Sequence, residues 1–445
     1  MRIVETDVCV VGAGSGGTGC VYRLIKNGIK TVVVDKNPDF GGTMVFSGVD
    51  GWEPGVSLDG VHQLLVRELE HMENACHVVE GVPNCNLFHP ENGDNWENSS
   101  FEKYPWGLSV PTKRPYEDTL GRCTSIRGNG SMKRFQFEPD AMRAAINNIL
   151  LPYKENLQTF FGYSYTSCEK TDGKITGVVV SDGCDMVKIL AKYFVDASGD
   201  IILARDAGCK YTSGCEGADE YGEPGAGEKS DVLNGATYVF RITPKADAGI
   251  DEIPEEYKGV DISKWKKEKL EKVVSCFVFY PNGDINVNML PTMEGREYLE
   301  LGKLADNVGC ARVWAYWTWL QKNRGMSGFG LKKIYTAGVR ESYRLCGKYV
   351  LTEKDVRSGR GKFGNRCIAV ADHSLDVHGA GWMAKELEFP YDIPVECTMT
   401  NEFDNLFVAC RGASFTHIAA STARLSRTML SLGEGVGEYI AKIMA

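Results

Sequence analysis

The residues best placed to do chemistry lie close to the start of the chain. Gly12-Ala13-Gly14-Ser15-Gly16-Gly17 follows the short apolar run Val8–Val11 and precedes Thr18–Asn27, where Cys20, Val21, Leu24 and Ile25 fall at helical spacing. Each glycine of a Gly-x-Gly-x-x-Gly turn has a separate task. Gly12 permits the tight turn, Gly14 lets bare backbone approach a diphosphate, and Gly17 allows helix and strand to lie close. The helix start then offers Ser15 and Gly16 N–H groups and a partial positive charge to phosphate oxygens. A second apolar run, Thr31–Val34, ends at Asp35, about 20 residues on, where a carboxylate can accept from ribose hydroxyls. Strand, turn, helix and acid in this order predict a dinucleotide site, but do not by themselves choose between a flavin and a nicotinamide.

The continuation makes that choice. Lys36-Asn37-Pro38-Asp39-Phe40-Gly41-Gly42-Thr43 carries a Gly-Gly pair after the ribose acid, and small residues are needed where backbone runs beside a ligand. Phe194-Val195-Asp196-Ala197-Ser198-Gly199-Asp200 comes later, after the apolar runs Thr159–Tyr165 and Ile175–Val180. Asp404–Arg411 reads as another strand, and a last helix starts near Thr428 with Gly433-Glu434-Gly435-Val436-Gly437 inside it. Further matching segments are Phe137-Glu138-Pro139-Asp140-Ala141, Asn286-Val287-Asn288-Met289, Gly338-Val339-Arg340-Glu341-Ser342, Gly347–Thr352 and Asp376-Val377-His378-Gly379. Across nearly the whole chain these resemble the FAD-dependent oxidoreductases, two-dinucleotide-binding flavoproteins related to the flavin subunits of heterodisulfide reductases and, more distantly, of fumarate reductases.

The resemblance implies an α/β fold: a Rossmann-like FAD-binding domain of the glutathione-reductase type with an inserted α+β substrate domain. It implies FAD held by Gly12, Gly14, Ser15, Gly16, Gly17, Asp35, Lys36, Gly42, Thr43, Tyr165, Ala197, Ser198, Gly199, Arg411, Thr428 and Met429. It also implies that the last helix points its start at the flavin. Departures from the family pattern cluster near the expected flavin. Cys410 stands for a common Gly, Arg427 for a common Pro, Ile418 and Ala420 for polar neighbours of His417, and Phe46–Gly60 differs throughout. A substrate pocket of its own is therefore expected.

The candidate catalytic residues are His378, Arg340 and His417. Asp376 and His378 are two apart, so on a strand they share a face, and the acid can fix the imidazole tautomer. Arg340 offers a planar donor fork to a carboxylate or ring oxygen, unless Glu341 or another acid takes it. His417 follows the flavin-side strand. Arg424 is expected to support cofactor or pocket, and Cys410 to be an inert buried thiol.

The scaffold that must position these groups is large. With 445 residues, the chain exceeds a single core. The FAD-binding domain is expected in three stretches, over 1–75, 136–235 and 331–445. Between them fall an insertion and candidate lid over 76–135 and a substrate domain over 236–330. Within this organisation Pro139–Lys154 and Leu299–Gln321 read as helices, Lys264–Lys272 as a solvated helix face, and Gly214–Gly227 as a mobile loop. A net charge of −9 disfavours a general grip on nucleic acid or anionic lipid. Fifteen scattered cysteines with no C-x-x-C read as reduced thiols, not as a disulfide framework, metal site or iron–sulfur relay. With no basic, apolar leader before Val8 and no run near the roughly 20 apolar residues of a membrane span, a cytoplasmic protein is expected. Its expected partners are a small-molecule substrate and an electron donor or acceptor left open, with a homo-oligomer allowed. Three functions fit. One is hydride transfer between flavin N5 and a small organic compound, hydroxyl-bearing or sugar-like. The others are a flavin electron-transfer subunit working with an iron–sulfur partner, and a flavin-binding protein without turnover.

Overall fold

The computed structural model describes residues 1–52, 60–80, 133–263, 270, 273–280, 282–378, 382–385 and 387–445. Its centre is a five-stranded sheet in the order Leu406–Val408, Tyr193–Asp196, Val8–Val11, Thr31–Asp35 and Leu157–Phe161, with every pairing parallel. Parallel strands are covered on both faces, and Val8–Val11 is accordingly buried at all four positions. From Val8–Val11 the chain moves to Thr31–Asp35 on one side, while Tyr193–Asp196 later fills the other. The turns leaving Val8–Val11 and Tyr193–Asp196 therefore diverge at a topological switch point, where ligands of such sheets bind.

The helix Ser15–Lys26 buries Cys20, Val21, Leu24 and Ile25 and ends at Gly28, which takes the left-handed conformation at φ +76°. Against it lies the helix Ser426–Met444, starting two residues before the expected Thr428. The two backbones nearly touch. A Cβ on Gly433 would lie 1.8 Å from Gly16 O, and one on Gly19 would lie 2.0 Å from Leu430 O. Gly433 and Gly437 thus sit inside the helix as packing positions.

A second sheet, Arg2–Glu5, Met186–Leu190, Lys174–Ser181 and Ser164–Thr171, lies beside the first. The run Thr159–Tyr165, read as one strand, is split: Gly162, at φ +79°, ends Leu157–Phe161 in the parallel sheet, and Tyr165 belongs to the second sheet. A third, antiparallel sheet in the order Val274–Phe279, Ile285–Leu290, Phe240–Pro244 and Phe329–Ile334 caps the molecule. Alternation sorts its faces. Phe277, Ile285, Val287 and Met289 pack with Val313, Tyr316, Trp317 and Leu320 of the helix Ala305–Asn323, while Arg241 and Asn286 belong to the opposite face. The Trp and Tyr cluster of that helix is core, with Trp317 Nε1 donating to Asp251 at 2.7 Å.

The helix expected over Leu299–Gln321 is interrupted. Gly302, at φ +52°, separates Gly295–Leu301 from Ala305–Asn323. The edge strand Phe329–Ile334 runs past the boundary expected at 330. Of the expected insertion, residues 81–132 lie outside the described residues, as do most of Lys264–Lys272 and 53–59 of the Phe46–Gly60 stretch. The ends of the insertion, Cys76–Glu80 and Lys133–Phe137, pair with each other, and Lys133–Phe137 also pairs with Gly51–Trp52.

Candidate functional site

Three of the four motif glycines are demanded by neighbouring backbone. A Cβ would lie 2.3 Å from Ala197 O at Gly12, 1.8 Å from Ala409 O at Gly16 and 1.9 Å from Gly12 O at Gly17. Gly14 differs. The nearest atom to a Cβ there is Gly42 Cα at 4.0 Å, so no protein atom requires this residue to be glycine. The space beside Gly14 is a cradle that a side chain would fill. It faces a helix start with no side-chain cap and no acid in its first turn, where the N–H groups of Ser15, Gly16 and Gly17 have no intrahelical acceptor. Those features suit a bound diphosphate.

Asp35 accepts from Ala13 N at 2.6 Å and from Asn37 N and Nδ2 at 2.7 and 2.9 Å, so it also shapes the loop. A carboxylate has about four acceptor sites, which leaves capacity for a ribose hydroxyl. Across the switch point, Ala197, Ser198 and Gly199 are held by the fully buried Asp196, which accepts from Ser198 N and Oγ and from Ala204 N. Burial raises the Asp196 pKa, and these bonds oppose it. Arg411 packs on Gly199 and donates to Asp200 at 2.7 Å, while its Nε is buried without a partner among the described residues.

Thr428, in the first turn of the last helix, is 1% exposed, and its Oγ1 likewise has no partner among the described residues. A buried orphan hydroxyl at a helix start fits a polar ligand edge there. Met429 is buried beside it, and Thr43 opens the short helix Thr43–Phe46 after Gly42. Two expected cofactor residues stand apart. Lys36 is exposed, and the Tyr165 hydroxyl donates to Asp206 at 2.6 Å in the helix Ile202–Ala207.

The second centre forms where the strand Leu375–His378 meets the base of the capping sheet. His378 N donates to Asn234 Oδ1 at 2.7 Å, Gly235 N donates to His378 O at 2.6 Å, and the imidazole Nε2 lies 2.8 Å from Asp376 Oδ2. Arg340 donates to Gly235 O at 3.1 Å and Thr237 Oγ1 at 2.6 Å. Arg424 donates to Asp376 O at 3.1 Å. Burial lowers the His378 pKa, with Arg340 and Arg424 adding to the effect and Asp376 opposing it. Burial would raise Asp376, but the His378 bond and Arg424 hold it well below the usual carboxylate range. The two shifts look opposed for an ion pair, yet one state satisfies both: a neutral imidazole donating Nε2–H to an ionised carboxylate. That tautomer leaves the Nδ1 lone pair as a base. Arg340 is pushed down to about 9 by burial and by Arg424, so it stays cationic at neutral pH.

His417 is elsewhere in the same framework. It is 5% exposed, with Nδ1 2.8 Å from Glu341 Oε2 and its backbone N donating to Glu216 Oε2 at 2.7 Å. Glu341 also accepts from Arg344 and from Asn234, so the expected alternative of an Arg340–Glu341 pair does not form. Arg344 is fully buried. It donates to Glu216 at 2.5 Å, Gly214 O at 2.6 Å and Phe415 O at 3.0 Å. Glu223, raised by burial, accepts from Thr416 Oγ1 and Glu353 N, both at 2.6 Å. The Gly214–Gly227 loop, read as mobile from its polar composition, is instead fastened by two buried carboxylates. Asn234 links the two histidines, donating to Glu341 and accepting from His378. Sequence reading missed Asn234, whose partners Glu341 and His378 lie more than a hundred residues on, and Arg344, which bonds not only to nearby Glu341 but to Gly214, Glu216 and Phe415 far off in the chain.

Removing Arg344 leaves Glu341 and Glu216 buried without their cation. Arg344→Met is therefore expected to destabilise the fold by about 3–5 kcal/mol, read by denaturant unfolding of the full chain. A loss below about 1 kcal/mol, the range of an exposed pair, would mean that the network carries little charge.

A cavity of about 810 Å³ lies between the helices Ser15–Lys26 and Ser426–Met444 and the strand Cys367–Ala371, lined in part by Arg23, Arg360, Arg366 and Lys442. None of the candidate residues lines it, and its cations already face Glu434, Asp392, Glu396 and Glu438. Among the described residues no helix is long and apolar enough to cross a membrane, and no three His, Cys, Asp or Glu side chains gather as a metal site.

Compared with known proteins, residues 7–444 match the family described as FAD dependent oxidoreductase. The glutamate synthase [NADPH] small chain of Halomonas elongata is 49% identical over 47 residues, 10% of this chain and 10% of that protein. The thiamine thiazole synthase of Sulfolobus acidocaldarius is 34% identical over 87 residues, 18% of this chain and 32% of that protein. The chain thus spans a third or less of the length of these curated relatives. A geranylgeranyl bacteriochlorophyll reductase-like protein from Thermoplasma acidophilum superposes over 99% of this chain and 79% of its own, at a TM-score of 0.47 and 11% identity.

Proposed function

The chain belongs to the FAD-dependent oxidoreductase family, matched over residues 7–444, and from that premise we propose that it moves hydride between flavin N5 and a small hydroxyl-bearing organic substrate. FAD, when bound, supplies the two-electron chemistry. The chain's own residues hold and orient. The N–H groups at the start of Ser15–Lys26 take the diphosphate, Gly14 leaves room for it, and Asp35 takes the ribose. At the other centre, His378 Nδ1 accepts the substrate hydroxyl proton, and Asp376 keeps the imidazole in that tautomer. Arg340 and Arg424 bring positive charge to the oxygen as it becomes a carbonyl, or to a carboxylate beside it.

The observation that carries this reading is the His378 imidazole 2.8 Å from the Asp376 carboxylate, with Arg424 bonded to the same Asp376 and Arg340 beside it. The test is an anaerobic screen of sugars and hydroxy acids, scored by bleaching of the flavin band. Bleaching by a member of the panel is the expected result. Protein that bleaches with none of them, but is reduced readily by an iron–sulfur protein, would overturn the proposal in favour of electron transfer between proteins.

A further inference from the structure

The face of the capping sheet turned away from the helix Ala305–Asn323 carries the amides of Asn286 and Asn288. They are two residues apart on one strand, so they share that face at a spacing of about 7 Å. In the ladder Asn286 stands opposite Arg241, and Asn288 opposite Cys276. Asn286 has one fixed orientation. Its Nδ2 donates to Asp50 Oδ2 at 3.1 Å and to Tyr280 Oη at 3.0 Å, and an ionised carboxylate only accepts, so Oδ1 must turn the other way. There Oδ1 has no partner among the described residues, although Asn286 is 1% exposed. Asn288 Oδ1 is likewise buried and has no partner among the described residues. Buried acceptors left unfilled are rare in folded proteins, and here two lie side by side.

The same face leads to the His378 centre. Phe240 pairs with Val287, so Val239 runs beside Asn288. Tyr238, Phe240 and Ile242 pack with the helix, and alternation therefore puts Thr237, Val239 and Arg241 on the polar face. Thr237 Oγ1 accepts from Arg340 at 2.6 Å. Arg340 also donates to Gly235 O, and the N–H of that same residue holds His378 O. The order along the face is thus His378, Arg340, Asn288 and Asn286. The segment 47–50 stands across from it, with Ser47 bonded to Thr336 and Asp50 taking the Tyr280 hydroxyl.

We propose that Asn288 and Asn286 bind substrate, and that the compound oxidised at His378 is a neutral polyol, sugar- or cyclitol-like, whose further hydroxyls donate to these two amide oxygens. The inference rests on the hydride-transfer reading above and narrows its substrate class. The step itself is unchanged: the carbinol C–H leaves as hydride to the flavin, the O–H proton goes to His378 Nδ1, and the carbon becomes a carbonyl. An unfilled amide oxygen calls for an O–H donor. A carboxylate brings acceptor lone pairs and a charge, so a hydroxy acid gains nothing there. A monohydric alcohol with its oxygen at His378 leaves both acceptors unpaired, and a site built to bond a hydroxyl disfavours the compound that lacks it.

The test mixes full-length holoprotein anaerobically with a series on one ring: cyclohexanol, a vicinal cyclohexanediol and myo-inositol, with lactate as the hydroxy acid. Perturbation of the oxidised flavin spectrum reads binding, and bleaching reads hydride transfer. Apparent affinity is expected to rise about tenfold for each acceptor filled, the worth of one ordinary hydrogen bond. Myo-inositol should bind tightest, and lactate no tighter than cyclohexanol. Asn288→Leu keeps the volume and removes the hydrogen bonding. It should lower myo-inositol affinity about tenfold and so narrow the gap to cyclohexanol, which a general loss of structure would not do. Equal affinities across the ring series, lactate binding tightest, no spectral change with any polyol, or an Asn288→Leu protein that keeps the full gap would each overturn the assignment. Failure of the hydride reading has another signature: the series binds in the expected order, yet no compound bleaches the flavin. Should Asn288→Leu not fold, the wild-type series decides.

Discussion

Gly14→Val is expected to give folded protein that has lost FAD. The position is open in the protein itself, since a Cβ there meets nothing closer than Gly42 Cα at 4.0 Å. The side chain is therefore accommodated, but in the volume a diphosphate occupies. Charge-assisted hydrogen bonds contribute roughly 1.5–3 kcal/mol each. Losing two of them weakens binding by a factor on the order of 100 or more. The contrast with Gly16→Ala makes the measurement sharp. That smaller change puts a Cβ 1.8 Å from Ala409 O, so it should damage the fold itself. Flavin absorbance after reconstitution, alongside circular dichroism and thermal unfolding, separates the two. A Gly14→Val protein that reconstitutes to a full flavin spectrum would place the diphosphate elsewhere.

The second large effect is at His378. His378→Ala should slow flavin reduction by substrate about 10²–10⁴-fold, the range for a lost general base, while FAD stays bound. Retention is expected because the hydrogen bonds of His378 run to Asp376, Asn234 and Gly235, not to the glycine loop. The pH profile gives a second readout. A base works in its neutral form, and burial shifts the His378 pKa below the imidazole's ordinary 6.5. Wild-type kcat/KM should therefore hold level through neutrality and fall only as the pH drops below that value. Rapid-mixing measurement of flavin bleaching checks both points, and a His378→Ala protein reduced at the wild-type rate would remove the residue from the chemistry.

The features of the site readable in sequence were those made by neighbours in the chain. Val8–Val11, Gly12–Gly17, the helix after it and Asp35 form one strand–turn–helix–strand unit, so spacing alone defines their geometry. Asp376 and His378 were legible for the same reason, being two apart on one strand. What spacing could not show was contact across more than a hundred residues. Asn234 joins the two histidines from a loop, and Arg344 binds Glu216 across 128 residues. Neither residue type is unusual where it stands. Glycine was the least decodable residue. The sequence places Gly433 only inside the last helix and does not show that it is small because Gly16 O lies against it. Gly162 and Gly302 break elements that apolar periodicity had run together, since a positive φ leaves no mark on hydrophobic pattern.

The glycine-lined crossing of Ser15–Lys26 with Ser426–Met444 also sets an order of events at the ribosome. Arg23 and Glu434, paired across that crossing, are 411 residues apart. At about 5–20 residues per second, the first helix waits on the order of 20–80 s for the surface that covers it. The sheet strand Leu406–Val408 arrives nearly as late. A nascent chain thus holds the glycine loop without the backbone of Ala409 or Leu430 to seat it, and an apolar helix face without its cover. FAD is therefore expected to bind stably only once Leu406–Val408 and Ser426–Met444 have been made.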